Sequence, residues 1–421
     1  MNPPVQECGC PDYAMSRRSF LGRLGAVGAL AGLTSAGLST QMAFAAEPYT
    51  GDVLVVLSLR GGFDGLNTIV PTGDPRYPEV RPSIRIPQGV LLPLDSMFGL
   101  HPAMSPLMPW WNSGEFAAVQ AVGMANQTRS HFEAMEEMER AAPGSSLRTG
   151  WLDRTLGLRE GTSAFQAVQI GTSMAASAFR GPAPELAMRS VDDFDLSGAW
   201  DATERRRWSD ALTALHEGAP VAVGAPAMTT LGALAGAAQM QEAGYTPDAN
   251  YPNTDLGRAL RDVARVIKAG VGLQVAAVDY GDWDMHADMG TVSSGWLRDK
   301  LDELARSLAA FATDLGGRFG DVTVVTLTEF GRSLVENGSG GVDHGHGQAV
   351  LLLGGGVNGG QVHGRWPTLE KEALAGGDLA GTTDYRQILA EILEKRCQGS
   401  QISAVFPDLT SDRLGVVRTR G

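Results

Sequence analysis

Cysteine is nearly absent: Cys8, Cys10 and Cys397 are the three in 421 residues. Two of them fall within the first ten residues, so the rest of the chain holds a single thiol and cannot form an internal disulfide, even in an oxidising compartment. Positive charge is also scarce, with 34 Lys and Arg against 47 Asp and Glu and a net charge of −13. Such a field repels phosphate backbones and anionic headgroups, which excludes nucleic acid as an expected partner. There is no internal repeat, and the 54 glycines follow no three-residue period, so a collagen-like chain is excluded. Apolar residues at 43% and charged residues at 19% exclude disorder and describe an ordinary globular protein. The length is about three times that of a typical single domain, enough for one large core.

What is present begins with targeting. Ser16-Arg17-Arg18-Ser19-Phe20-Leu21 precedes a weakly apolar, uncharged run from Leu24 to about Ala46. This pattern resembles the twin-arginine export signal. Gly, Ser, Thr and Gln dilute the run too far for a stable membrane anchor, and Ala43-Phe44-Ala45 offers a small-x-small cleavage site. Residues 1–45 are therefore expected to be a signal peptide. The mature chain, 46–421, would be a periplasmic or secreted protein with no membrane span, engaging the twin-arginine translocase during export. That route carries folded proteins and is often used when a cofactor is loaded first.

Residues 52–58 form a short, continuous apolar run that ends in Arg60-Gly61-Gly62, the pattern of a buried parallel strand and a tight loop. Similar runs occur at 116–122, 273–278, 322–327 and 349–353. Helical periodicity marks 131–141, 202–217, 228–243, 256–269, 294–315 and 385–395. Alternating strands and helices predict an α/β fold, a doubly wound, mostly parallel sheet covered on both faces. Residues 186–251 have helices but few strand candidates and read as a helical insertion or cap. The glycine-dense stretch 354–360, followed by Gln361-Val362-His363, suggests a hairpin rather than a phosphate cradle.

In an open parallel sheet, functional groups gather in loops at the carboxyl ends of strands. Here these loops hold Asp64, then Asp279, Asp282, Asp284 and His286, then Glu329 and Arg332, then Asp343, His344 and His346. Each has an ordinary structural use: Asp64 in a turn, Asp282 and His286 as a solvated pair, Glu329 beside Arg332. Together, carboxylates and imidazoles after at least four strands point to a metal site, and the mixture suits Zn, Mn or Fe better than Ca. Ser130 opens a Ser-x-x-Glu capping box, a helix start where backbone N–H groups also stabilise an anion. Thr128 is the next hydroxyl candidate. A dinucleotide site fits poorly: Gly61-Gly62-x-x-Gly65 lacks the required spacing, and Asp64 would face the pyrophosphate.

The ordered set Arg60 to Asn67, Leu100-His101-Pro102-Ala103, Ser130-His131-Phe132, Gly150-Trp151-Leu152, Asp282-x-x-x-His286, Thr328 to Arg332 and Asp343 to His346 resembles the exported family called domain of unknown function 1501. That family is similar to the alkaline phosphatase and sulfatase superfamily, whose members carry a two-metal site on a doubly wound sheet. The resemblance implies Asp64 as a metal-binding acid, Ser130 as a nucleophile, Asp282 and His286 on one metal, and His346 or His344 completing its shell. Glu329 stands at the acid of a superfamily Asp-His pair, with Phe330 in place of the histidine, so His344 or His131 would serve a second ion or the site would hold one. Arg332 or Arg129 would clamp non-bridging oxygens. The expected activity is metal-dependent hydrolysis of a phosphate or sulfate ester, of a small molecule or a polysaccharide. The alternative is a non-catalytic exported binding or assembly protein with at most a structural metal.

Overall fold

The computed structural model describes residues 49–158, 163–399, 401–410 and 412–421. The expected signal segment, 1–45, lies outside them. Seven strands dominate the main sheet: β1 (Val53–Leu59), β2 (Phe116–Gly123), β3 (Ala167–Ile170), β4 (Leu186–Met188), β5 (Val275–Tyr280), β6 (Val322–Leu327) and, after a small ribbon of β7 (Arg332–Glu336) and β8 (Val342–His344), β9 (Gln348–Gly354). Across the sheet the order is β2-β9-β6-β1-β5-β3-β4, with the two-residue strands Val362–His363 and Thr383–Asp384 both added to β2. β1 is parallel to β5 and β6, and β3 is parallel to β4 and β5. β9 runs antiparallel to both neighbours. The fold is thus the expected α/β, mostly parallel sheet, with one strand reversed.

Alternation along β1 builds two cores. Val55, Leu57 and Leu59 face helices α5 (Asp255–Ala269) and α6 (Trp296–Leu315), whereas Leu54 and Val56 face α1 (His131–Arg140), α2 (Trp151–Gly157) and α7 (Tyr385–Lys395). Burial of both faces is why these strands read as mostly apolar runs without alternation. At its amino end, Asp52 is fully buried and gripped by Arg396, Arg420 and the Thr323 hydroxyl.

Two segments differ from expectation. Residues 186–251 open with β4, the sheet's edge strand, so the helical part is α3 (Ala202–His216) and α4 (Val221–Ala243). The glycine-dense stretch after β9 is not a hairpin: Val362–His363 pairs parallel with β2, on the far side of that strand from β9. Among the described residues, no helix is long and apolar enough to cross a membrane.

Candidate metal centre

The loops that follow β1, β5 and β6 converge with the start of α1. After β1 the chain turns through Gly61 (φ +115°) and Gly62 (φ +86°). A Cβ on Gly61 would lie 2.6 Å from Asp284 N, and one on Gly62 would lie 2.9 Å from the Phe330 ring. Only glycine admits both the backbone conformation and the approach of the other two loops.

After β5, Asp282 takes a left-handed conformation (φ +63°), and the Trp283 indole sinks against Phe63 with ring centroids 5.0 Å apart. Trp283 N donates to Arg60 O. This anchor turns Asp284 toward the histidines and leaves the Asp282 side chain 81% exposed, its nearest cation Lys300 at 4.0 Å. The structure therefore brings Asp284, not Asp282, together with His286.

Three imidazoles surround the Asp284 carboxylate. His131 Nε2 is 3.5 Å from Oδ2, and His286 Nε2 and His344 Nε2 are 3.0 and 3.2 Å from Oδ1. Each ring is oriented from behind. His131 Nδ1 donates to Glu329 Oε1 (2.8 Å), His344 Nδ1 to the Arg129 carbonyl (2.7 Å), and His286 Nδ1 to Asp343 Oδ1 (2.8 Å). A carbonyl or carboxylate can only accept, so these contacts assign the proton of each neutral ring to Nδ1 and leave the Nε2 lone pair facing inward. His286 Nε2 and His344 Nε2 are 3.0 Å apart, and His131 Nε2 is buried with no hydrogen-bond partner. Lone pairs facing each other beside a carboxylate repel unless a cation lies among them.

Glu329, fully buried, also accepts from Gly61 N at 2.8 Å, and so ties the β1 loop to His131. Phe330 packs on both rings, 4.9 Å from His131 and 4.7 Å from His344 by centroids, forming an apolar floor. Asn337 donates to Asp343 (3.0 Å) and to the His286 carbonyl (2.8 Å). Arg332 has a fully buried side chain and donates through Nη2 to Asp284 Oδ1 at 2.8 Å. Burial works to raise the Asp284 carboxyl, but the Arg332 guanidinium holds it below the usual carboxylate range. Hydrogen bonds from His286 and Asn337 do the same for Asp343.

The donor set suits a divalent transition ion: imidazole nitrogens and one carboxylate, with second partners fixing each ring. One atom each from His131, Asp284 and His344 lies within 4.8 Å of the others. His286 stands at the edge of this group.

The remaining expected residues have other partners. Asp64 Oδ2 accepts from Arg81 Nη1 at 2.6 Å, and Arg81 is saturated by Asn67 and by the carbonyls of Ser333 and Leu334. His346 occupies a slot between Gly123 and Gly381, where an added Cβ would come 3.0 and 2.9 Å from its Nε2. Burial pushes its imidazole down against the pull of Asp378. Ser130 caps α1, its Oγ accepting from Glu133 N at 3.5 Å, one residue before His131. Arg129 keeps a 60% exposed side chain with Nη2 on Asp378 at 2.5 Å. Thr128 Oγ1 donates to Glu133. Asp284 and Asp343 lie in the segments rich in acids and histidines, but nothing in the sequence marks either one as a ligand or a support.

Fold and site define an α/β protein with a candidate transition-metal centre at the carboxyl ends of its parallel strands. Residues 116–395 match the family described as "Protein of unknown function (DUF1501)", and the chain belongs to it. No curated protein matches. Among solved structures, the chain is similar to the phosphonate monoester hydrolase of Agrobacterium radiobacter, at 9% identity over 86% of this chain and 78% of that one, with a TM-score of 0.33. It is also similar to the PsFucS1 sulfatase from Pseudoalteromonas sp. (11%, 87% and 70%, TM-score 0.32). Against lipooligosaccharide phosphoethanolamine transferase A from Neisseria meningitidis (11% identity, TM-score 0.32), 75% of this chain spans about half of that chain, 51%.

Proposed function

We propose that the protein is an exported, metal-dependent hydrolase of phosphate or sulfate esters on an alkaline phosphatase-like fold. The observation that carries this reading is the inward convergence of three Nε2 atoms on Asp284, each ring held from behind. A divalent ion held by His131, Asp284 and His344, with His286 at its edge, would supply a Lewis acid that favours ionised hydroxyls and neutralises charge in the ester. Ser130 provides the nucleophile at the amino end of α1, where unbonded N–H groups favour negative charge. Its Oγ forms a bond to phosphorus or sulfur as the bond to the alcohol oxygen breaks, the serine proton leaving with the alcohol. Water then cleaves the seryl ester and restores the hydroxyl.

The alternative of a purely structural ion favours an enclosed site, but the side chains of Asp284 and His286 are both 44% exposed. Open donors suit a catalytic position better. Ser130→Ala and Asp284→Asn test the assignment, by turnover of aryl esters and by elemental mass spectrometry. Ser130→Ala is expected to abolish turnover and keep the metal, and Asp284→Asn to lose both. Full turnover in Ser130→Ala removes the nucleophile from the scheme.

A further inference from the structure

The arginines around the centre are already matched by carboxylates. Arg332, with no exposed side-chain surface, donates to Asp284 through Nη2, while its Nε and Nη1 are buried without a hydrogen-bond partner. Arg129 donates to Asp378. Arg60 holds Asp279 and Glu139, at 2.9 and 2.6 Å. Within the centre, Asp284, Glu329 and Asp343 carry three formal negative charges against the one positive charge of Arg332. A divalent ion brings that sum to zero and leaves no surplus positive charge for an incoming anion. Of those three acids Asp343 is the most open, 61% exposed, and Asp282 outside the centre is 81% exposed, in a chain whose net charge is −13.

We propose that this centre selects esters with one negative charge, a sulfate monoester or a phosphate diester, over doubly charged phosphate monoesters. The inference rests on the hydrolase reading above and narrows its substrate class. A second negative charge entering a neutral site finds each of these guanidiniums already paired with a carboxylate, and it approaches the exposed Asp343 carboxylate. Asp343 is the specificity-determining residue, through the charge it presents beside His286.

The test uses the full chain reconstituted with Zn or Mn. Values of kcat/KM are measured for p-nitrophenyl sulfate, bis(p-nitrophenyl) phosphate and p-nitrophenyl phosphate at alkaline pH, in low and high salt. Calorimetry compares two ligands that are not turned over, the methylphosphonate dianion and the methyl methylphosphonate monoanion. The expected result is a preference of roughly tenfold or more for single charge in both readouts, at the scale of one unscreened charge near a protein surface. That preference shrinks near 1 M salt, where the screening length is about 3 Å. Asp343→Asn narrows it as well. Preference for the phosphate monoester, or a preference unmoved by salt, overturns the proposal. Charge selection in calorimetry with none of the three esters hydrolysed would instead overturn the hydrolase reading and leave charge selection standing.

Discussion

Asp284 and Asp64 are both carboxylates just beyond the end of a parallel strand, and each meets a buried arginine, yet the rest of their surroundings differ. Asp284 is half open to solvent and faces three imidazole lone pairs. Asp64 is 3% exposed and faces a guanidinium that spends its remaining hydrogen bonds on Asn67 and two backbone carbonyls. Asp284 thus meets cation-accepting imidazoles as well as the buried Arg332, whereas Asp64 meets Arg81 alone and keeps its Oδ1 buried without a partner. An acid at a strand end therefore becomes a site or a strut according to what is packed behind it.

The largest expected effect lies on the sealed side. Arg81→Met strips the partner from a buried carboxylate, which costs about 3–5 kcal/mol. Urea denaturation should show that loss, and Asp64→Leu in the same chain should recover much of it, while metal content stays unchanged. A fall in metal content would mean that the two regions are one.

His101 sharpens the contrast next. It is fully buried, its Nδ1 accepts from Ala103 N, and burial, with Arg298 adding to it, lowers its pKa from 6.5 to about 4. The fold thus favours the neutral ring. Its contribution is complete above pH 6.5 and is lost as pH falls from 6.5 toward 4, by on the order of 3 kcal/mol. Denaturation midpoints across that window should fall for the wild type and flatten for His101→Gln.

The smallest effect belongs to the open side. Glu329→Gln keeps an acceptor for Gly61 N but weakens the orientation of His131, which should reduce metal affinity about 10–100-fold. Stability should change far less than in Arg81→Met. Metal titration followed by spectroscopy with Co checks the first, and denaturation the second. Unchanged affinity would break the role given to His131.

The same contrast explains what could be read from sequence. β1, β2, β5, β6 and β9 were legible because nearly every position is buried, so each is a mostly apolar run of six to eight residues. β3 is four residues with Gln169 inside, and β4 is three, too short for a period to show. The β7–β8 ribbon is charged and half exposed. His286 and His344 were legible because acids and glycines crowd them. Choosing Asp284 over Asp282 was not, since it depends on a positive φ at Asp282 and on where Trp283 packs. Arg81 gave no signal at all: its hold on Asp64 spans 17 positions and appears only once the chain is folded.

The central place of β1 has a consequence for how the molecule is made. Its neighbours β5 and β6 lie more than two hundred residues downstream. The arginines that neutralise Asp52 come 344 and 368 positions after it. A chain still emerging from the ribosome holds its most apolar strand and an unmatched buried acid until Arg396 and Arg420 have both appeared. Closing such distant contacts is slow. A half-made copy therefore lacks the pairing that Asp52 has in the folded protein.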